Sequence, residues 1–424
     1  MTDLQLGARD RFRAVHWLIL GALTTIQFLN ILDFIVIMPL GPRFLDGMKL
    51  TTEQFGAVVA SYGYASATAG ILAAGWMHRT PRRTTALLMV ALFACSSYLC
   101  YAAPNFWMLV AARCLTGACG GLISSIVLSI VSDVFPESRR GFAMGIVMTS
   151  FSMASVVGVP IGLWLADWSS SAQSPFLYLT GACLPVWLVM FLVLPNIARP
   201  HSEQQGGYWN TFREILIEPS HLWALGFTSV LVFQTFLIVP YIATYFVKNV
   251  GLPQEHIAWI YVFGGGATFF TMPMIGRLAD RFGKPQTYLW VACLAILPTL
   301  AIPLLPPMAS WTCTLITTIY FILSSARMVP GQAMVSSVPS PHLRAGFLSL
   351  SGSVQALSTG IAASISALIV QQSADGKLEQ FWIAGILGAF FYGLSLFLVP
   401  KLRPFAALPS PPPSPSDPAI RHPA

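Results

Sequence analysis

Charge is what this sequence has least of. Only 9% of its 424 residues are Asp, Glu, Lys or Arg, whereas 55% are hydrophobic, and the mean hydropathy is +0.68. Soluble domains carry roughly a quarter charged residues, so a water-exposed globular fold is excluded. Cysteine is sparse and unpatterned. Cys95, Cys100, Cys114, Cys119, Cys183, Cys293 and Cys313 all lie in apolar stretches and form no CxxC pair, which excludes a zinc ribbon or a disulfide framework and leaves them as small buried hydrophobes. There is no phosphate-binding loop, no nucleophile elbow and no cluster with metal-ligand spacing. The 7 His are scattered over loops and span ends. Enzymatic chemistry, a resident metal and a cofactor are therefore not expected, and ATP-driven work would need a separate subunit. The net charge of +7 does not point to nucleic acid, because the positives sit in short loops between apolar runs.

What the sequence does have is about twelve of those runs. Roughly 20 apolar residues cross a bilayer, and only helices or closed barrels satisfy the backbone there. The runs are too long and too continuously apolar for barrel strands. They predict helices near residues 17–40, 52–76, 84–103, 105–131, 141–166, 175–195, 221–246, 255–279, 286–306, 309–331, 345–370 and 379–399. The first run follows Arg9, Arg11 and Arg13 but is too long for a signal-peptide core, so it reads as a retained span. The expected fold is an all-α membrane protein with two six-helix sets. Residues 1–196 form the first, 197–220 a linker with an amphipathic stretch near Trp209 to Ile217, and 221–400 the second. Residues 401–424 form a Pro-rich disordered tail. With an even number of spans, one face collects seventeen Lys/Arg and the other four, Arg43, Lys49, Lys248 and Lys377. The positive-inside rule then puts both termini in the cytoplasm.

Three charges fall inside the apolar runs: Asp33, Arg113 and Arg327. An ionisable residue there is costly and marks a functional candidate. Asp33 and Arg113 lie about seven and eight residues from the outer ends of spans 1 and 4, roughly 10 and 12 Å at the helical rise, so they can meet. Burial disfavours a carboxylate's charge and a nearby guanidinium favours it, the balance a proton carrier needs; a fixed ion pair is the plainer reading. Arg327 lies near the inner end of span 10, where a cavity role and snorkelling to headgroups are both open. Polar and aromatic cavity candidates are Gln27, Asn30, Tyr62, Tyr64, Gln234, Tyr241, Trp259, Phe263 and Gln355, each of which can equally serve in packing. Gly158, Pro160 and Gly162 on span 5 suit close approach and bending. The loop Gly276 to Lys284, with Asp280, Arg281, Gly283 and Lys284, reads as a conformational latch on the inner face or simply as positive-inside topology. A weak echo links it to Gly75–Arg83 after span 2, as repeated half-bundles would give.

Residues of about 15 to 400 resemble the major facilitator superfamily, and most of all its bacterial twelve-span drug:proton antiporters of the arabinose or multidrug efflux permease kind. Gly276-Arg277-Leu278-Ala279-Asp280-Arg281-Phe282-Gly283-Lys284 is similar to the family's signature cytoplasmic loop. Arg113 with Gly117 and Gly121 looks like its span 4 motif, whose arginine the resemblance links to proton coupling. Gly158-Val159-Pro160-Ile161-Gly162 resembles the antiporter motif of span 5 in a shortened form, with Ala154 where glycine is usual. Leu32-Asp33-Phe34 followed by Pro39-Leu40-Gly41-Pro42 looks like the acidic span 1 element. The first loop copy departs, with His78 and Pro81 in place of Asp and Gly, which leaves Asp133 and Glu137 as acidic partners for Arg79 or Arg82.

The resemblance implies a proton-coupled exporter of a small amphipathic, drug-like or sugar-like solute, working as a monomer in the bacterial inner membrane. Its partners would be that solute, protons and the bilayer. An importer or uniporter would share the fold. A non-transporting receptor would have no need of Asp33 and Arg113.

Overall fold

The computed structural model describes residues 14–74, 80–195 and 208–405. Among these described residues are twelve helical segments long and apolar enough to cross a membrane. We number them spans 1 to 12: Ala14–Val36, Thr52–Ala73, Arg82–Ala102, Phe106–Val134, Arg139–Trp168, Ser174–Val193, Pro219–Val250, Gln254–Phe282, Lys284–Leu304, Ser310–Ser337, Arg344–Ile369 and Phe381–Lys401. The only strands among the described residues are Gln371–Gln372 and Leu378–Glu379, a short antiparallel ladder between spans 11 and 12. The remainder of the Pro-rich tail, residues 75–79 of the first loop copy with His78 and Arg79, and linker residues 196–207 lie outside the described residues.

Local sequence explains where the helices start. Asn105 caps span 4 by accepting the Met108 N–H at 3.0 Å, as N-cap amides do. Spans 6, 7 and 9 carry proline in their first turn, where its missing N–H has no helical partner to lose.

The packing repeats. Span 1 lies against spans 4, 5 and 6, span 2 against 4, and span 3 against 4 and 6. Span 7 lies against 10, 11 and 12, span 8 against 10, and span 9 against 10 and 12. The first six spans and the last six are thus built alike. Two seams join them, span 2 along span 11 and span 5 along span 8. The first seam is backbone on backbone, since a Cβ on Gly63 would sit 2.7 Å from the Ala356 carbonyl oxygen and the Gly360 nitrogen. Small residues permit that approach.

The two halves also meet at the end remote from the chain termini. Phe34 packs on Phe236 with ring centroids 5.6 Å apart, and Phe55 on Tyr241 at 6.0 Å. The Tyr241 hydroxyl donates to the Thr52 carbonyl at 2.7 Å. Lys248 pairs with Asp46 at 2.7 Å.

Three spans are interrupted. Span 5 runs as Glu137–Met153, a π turn Ala154–Gly158, and Val159–Trp168. Span 7 breaks between Phe236 and Val239. Span 10 turns at Arg327, between Ser310–Ala326 and Met328–Ser337. Its end near residue 331, expected from polarity, is corrected: the helix continues to Ser337, because Ser336 and Ser337 return their hydroxyls to the Ala333 and Met334 carbonyls. The linker's amphipathic stretch is a helix, Tyr208–Ile217. Its buried Ile215 packs against span 11 at Gly346, while Ile217 is exposed.

Candidate functional site

Span 4 carries Gly117, Gly120 and Gly121 where spans 1 and 2 come closest. A Cβ would lie 2.4 Å from the Tyr62 carbonyl oxygen at Gly117, 2.2 Å from the Tyr62 hydroxyl at Gly120, and 2.4 Å from Ser66 Oγ at Gly121. These absent side chains let three helices close around one buried ion pair.

Arg113 NH1 stands 2.7 Å from Asp33 Oδ2, and both side chains are fully buried. Ser97 of span 3 donates to Asp33 Oδ1 at 3.1 Å. The guanidinium lies over the Tyr62 ring at 4.8 Å and the Phe176 ring at 5.8 Å. Asp33 is the only buried carboxylate among the described residues. Burying a charge costs several kcal/mol, which close pairing and hydrogen bonds offset. Here the offset is incomplete, since Arg113 Nε and NH2 make no hydrogen bond. The pair therefore retains donors for a second partner.

A polar chain leads from it along span 1. Tyr62 donates to Asn30 Oδ1 at 3.0 Å, and Asn30 Nδ2 donates to the Gly120 carbonyl at 3.0 Å and to Ser124 Oγ at 3.1 Å. Gln27 Nε2 donates to the same Ser124 at 3.2 Å. Asp33, Asn30 and Gln27 thus line one helical face, stepping toward the terminus-bearing end.

Span 5 is wedged beside this face. A Cβ on Gly158 would meet Leu32 at 2.9 Å, and one on Gly162 would meet Val36 at 2.6 Å. The π turn before Pro160 accommodates an imino nitrogen that cannot donate. On its other side, a Cβ on Gly265 of span 8 would come within 3.0 Å of the Ser155–Val156 backbone. Span 5 therefore connects the Asp33 helix to the opposite half.

A second cluster lies within the last six spans. Arg327 is fully buried. Its NH1 donates to the Leu231 carbonyl and its NH2 to Thr235 Oγ1, both at 2.6 Å. Its guanidinium lies over the Tyr392 ring at 5.0 Å. It lies ten residues short of the end of span 10, so snorkelling to headgroups is excluded. Gln234 is fully buried alongside and donates to the Phe391 carbonyl at 3.3 Å.

The other sequence candidates are dispersed. Tyr64 hydrogen-bonds Ser364 across the span 2–11 seam at 2.9 Å. Tyr241 belongs to the remote closure, and Gln355 is half-buried on span 11. Trp259 and Phe263 do not join either cluster; they are exposed, with Phe263 5.8 Å from Trp311. Near a span's end, such aromatics suit the membrane interface. In the loop after span 8, Gly283 takes φ +92°, a value that glycine adopts without strain. Asp280, Arg281 and Lys284 are exposed, and no ion pair joins them to another described residue. In the first half, Arg82 pairs with Asp133 at 2.6 Å, one of the pairings left open by the altered loop copy. Ser97, Ser124 and Phe176 were not legible as site residues. A serine or phenylalanine in an apolar run is ordinary, and only the packing shows what it faces.

Known proteins share this architecture. Residues 23–363 match the family model described as Major Facilitator Superfamily. The chain is 24% identical to a chloramphenicol efflux pump of Mycobacterium tuberculosis, over 87% of this chain and 90% of that one. It is 22% identical to a chloramphenicol resistance protein of Streptomyces lividans, over 82% and 88%. Among solved structures, a D-xylose–proton symporter superposes with a TM-score of 0.72 at 16% identity, covering 91% of this chain and 98% of that one. A bacterial homologue of the human lysosomal transporter Spinster gives 0.69 at 18% identity, covering 93% and 99%. Twelve spans, two like-built halves and a family match over most of the length agree: this chain belongs to the major facilitator superfamily, and it is a multi-pass secondary transporter rather than an enzyme.

Proposed function

We propose that the protein exports a small amphipathic, drug-like or sugar-like solute in exchange for protons, by alternating access, from the inner membrane of a bacterium. The observation that carries this reading is the buried Asp33–Arg113 pair. A carboxylate in this position can take a proton, whereas arginine stays charged under working conditions. Protonation removes the charge that holds Arg113 to span 1. Span 1 is then free to shift against span 4, and its contacts with Gly158 and Gly162 carry the movement to span 5 and on to span 8. Export is supported by the relatives named for chloramphenicol efflux and resistance, and chloramphenicol is the first solute to try.

The excess of Lys/Arg on one face places both termini in the cytoplasm. The closure at Phe34–Phe236 and Tyr241–Thr52 is then external, and this conformation belongs to the cytoplasm-facing half of the cycle. The unpaired Asp280, Arg281 and Lys284 suit that state, for a latch at the cytoplasmic end would engage only when that end closes. Residues 1–196 and 221–400 act as the two moving units. The linker 197–220 and the tail 401–424 remain cytoplasmic, and one chain suffices.

The test is proton release from purified protein on adding chloramphenicol, wild type beside Asp33→Asn. Release that vanishes in the variant supports the reading. Release that persists unchanged moves the coupling site elsewhere, and a wild type that binds the solute without releasing protons is a uniporter or a binding protein.

A further inference from the structure

The Arg327 cluster is not explained by proton coupling. Among the described residues no carboxylate pairs with Arg327, and spans 7, 9, 10, 11 and 12 contain no Asp or Glu at all. A guanidinium has five N–H donors. Leu231 and Thr235 take one from each terminal nitrogen, and Nε makes no hydrogen bond. Both partners are neutral, so the charge stays uncompensated in a setting where a lone buried ion is very costly.

The surroundings are rich in donors of the same kind. The hydroxyls of Tyr288, Tyr320 and Tyr392 are all buried and make no hydrogen bond of normal geometry, with only the neutral side chains of Ser395 and Gln234 beside Tyr288 and of Ser324 beside Tyr320. Tyr288 and Tyr320 lie within electrostatic reach of Arg327, and Tyr392 offers it its ring face. Tyr288 comes from span 9, Tyr320 from span 10 and Tyr392 from span 12, so three helices aim phenolic O–H groups into one interior. Arginine accepts no hydrogen bond, and a phenol beside a cation turns its proton away from it. Gln234 Oε1, buried alongside and itself without a hydrogen bond, is a neutral acceptor; what the cluster lacks among the described residues is a group that bears negative charge.

We infer that the interior between spans 7, 9, 10 and 12 is a binding site for a monoanionic group, a halide or a carboxylate, held by Arg327 with the hydroxyls of Tyr288, Tyr320 and Tyr392. The anion is either a free inorganic ion or the acidic group of an organic solute. Its part in transport rests on the alternating-access reading above; the binding itself does not. In that cycle Asp33 becomes neutral when protonated, which leaves two buried cations in the membrane. An anion at Arg327 would lower that charge, favouring its entry when the proton is bound.

The experiment is thermal unfolding of the full chain in lipid nanodiscs, in Tris sulfate of constant ionic strength, titrated with chloride or with benzoate. A ligand that binds only the folded state raises the midpoint in a saturable way. We expect a saturable rise with at least one anion: chloride identifies the inorganic source, and benzoate alone identifies an organic acid. Arg327→Gln should abolish the rise. Tyr392→Phe keeps the ring and should weaken the anion's apparent affinity by roughly tenfold, the size of one hydrogen bond to a charged group; it covers the case in which Arg327→Gln does not fold. Asp33→Asn should leave the rise in place. No saturable rise in wild type, or a rise untouched by both Arg327→Gln and Tyr392→Phe, overturns the inference. A rise kept in Arg327→Gln but lost in Arg113→Gln would place the anion at the other pair and overturn it too. Proton release is read separately, so either proposal can fail without the other.

Discussion

The two halves hold an arginine in the same architectural setting and neutralise it differently. Arg113 sits on span 4, reaches span 1 and lies over Phe176 of span 6. Arg327 sits on span 10, reaches span 7 and lies over Tyr392 of span 12. These are the equivalent spans of the repeated fold. In the first half the partner is Asp33; in the second it is a hydroxyl and a carbonyl. Arg327 is also about ten residues further along its span, roughly 15 Å at the helical rise, toward the terminus-bearing end. On the readings proposed above, the first site is switched by protonation of its own carboxylate, whereas the second, with no carboxylate among the described residues to pair with, takes its counter-charge from outside the protein.

The sharpest way to break the comparison is to remove the partner that is charged. Arg113→Leu leaves Asp33 buried without its cation, and losing one member of a buried pair costs about 3–5 kcal/mol. Arg327→Gln removes a cation that has no charged partner among the described residues, and its unfolding midpoint without added anion should change far less. Unfolding of both variants in one detergent measures the difference. Equal losses would mean that Arg327 has a counter-charge after all. The double variant Asp33→Asn, Arg113→Gln should recover most of the stability lost in Arg113→Leu while remaining uncoupled from protons.

A second variant turns one half into a copy of the other. Thr235 Oγ1 already lies 2.6 Å from Arg327 NH2, so Thr235→Asp supplies the missing carboxylate in place. It should reduce the response to chloride or benzoate by more than tenfold and leave solute-evoked proton release through Asp33 in place. An undiminished anion response would show that Arg327 is not where the anion binds.

Much of this was readable in the sequence. Charge was so scarce that Asp33, Arg113 and Arg327 stood out unaided, and helical rise alone put the first two at a depth where they could meet. Gly158 and Gly162 on span 5 pointed to close helix approach, and a Cβ at either would crowd span 1. What it could not give was partnership. The tyrosines around Arg327 come from spans 9, 10 and 12, far apart in the chain, and each looks like any aromatic in an apolar run. The end of span 10 was placed near residue 331, which brought Arg327 too near the headgroups; the helix runs on to Ser337. Trp259 and Phe263 were plausible cavity residues by type, but their faces are settled only by packing.

The comparison also depends on span 5, which relays the first site to the second half. Gly162→Val forces a side chain into the space that Val36 fills, where a Cβ alone would approach to 2.6 Å. Overpacking of this kind costs about 1–3 kcal/mol. Because the strain falls between spans 1 and 5, it should slow solute-coupled proton release while leaving the anion response at Arg327 intact. A Cβ on Gly226 would meet nothing within 4 Å, so Gly226→Ala is the matched control and should alter neither.

The smallest effect is expected at the remote closure, which both halves share. Tyr241 donates one hydrogen bond to the Thr52 carbonyl at 2.7 Å and packs on Phe55. Tyr241→Phe keeps the ring and removes only the bond, worth about 0.5–1.5 kcal/mol. A loss near 1.4 kcal/mol is about a tenfold change in an equilibrium, and the bond exists only in the conformation closed at this end. The variant should therefore shift the population toward the opposite state without unfolding the protein. Thr52→Cys, which keeps the carbonyl and stands at a buried position in the closed conformation, reports the shift through its rate of labelling by a membrane-impermeant maleimide from outside intact cells. The rate should rise by up to tenfold in Tyr241→Phe, and more strongly when Lys248→Ala also removes the pair with Asp46. An unchanged rate in both would mean that this end is held shut by the span 2–11 seam alone, where Gly63 meets Gly360 backbone to backbone, and that the polar contacts above it follow the closure without setting it.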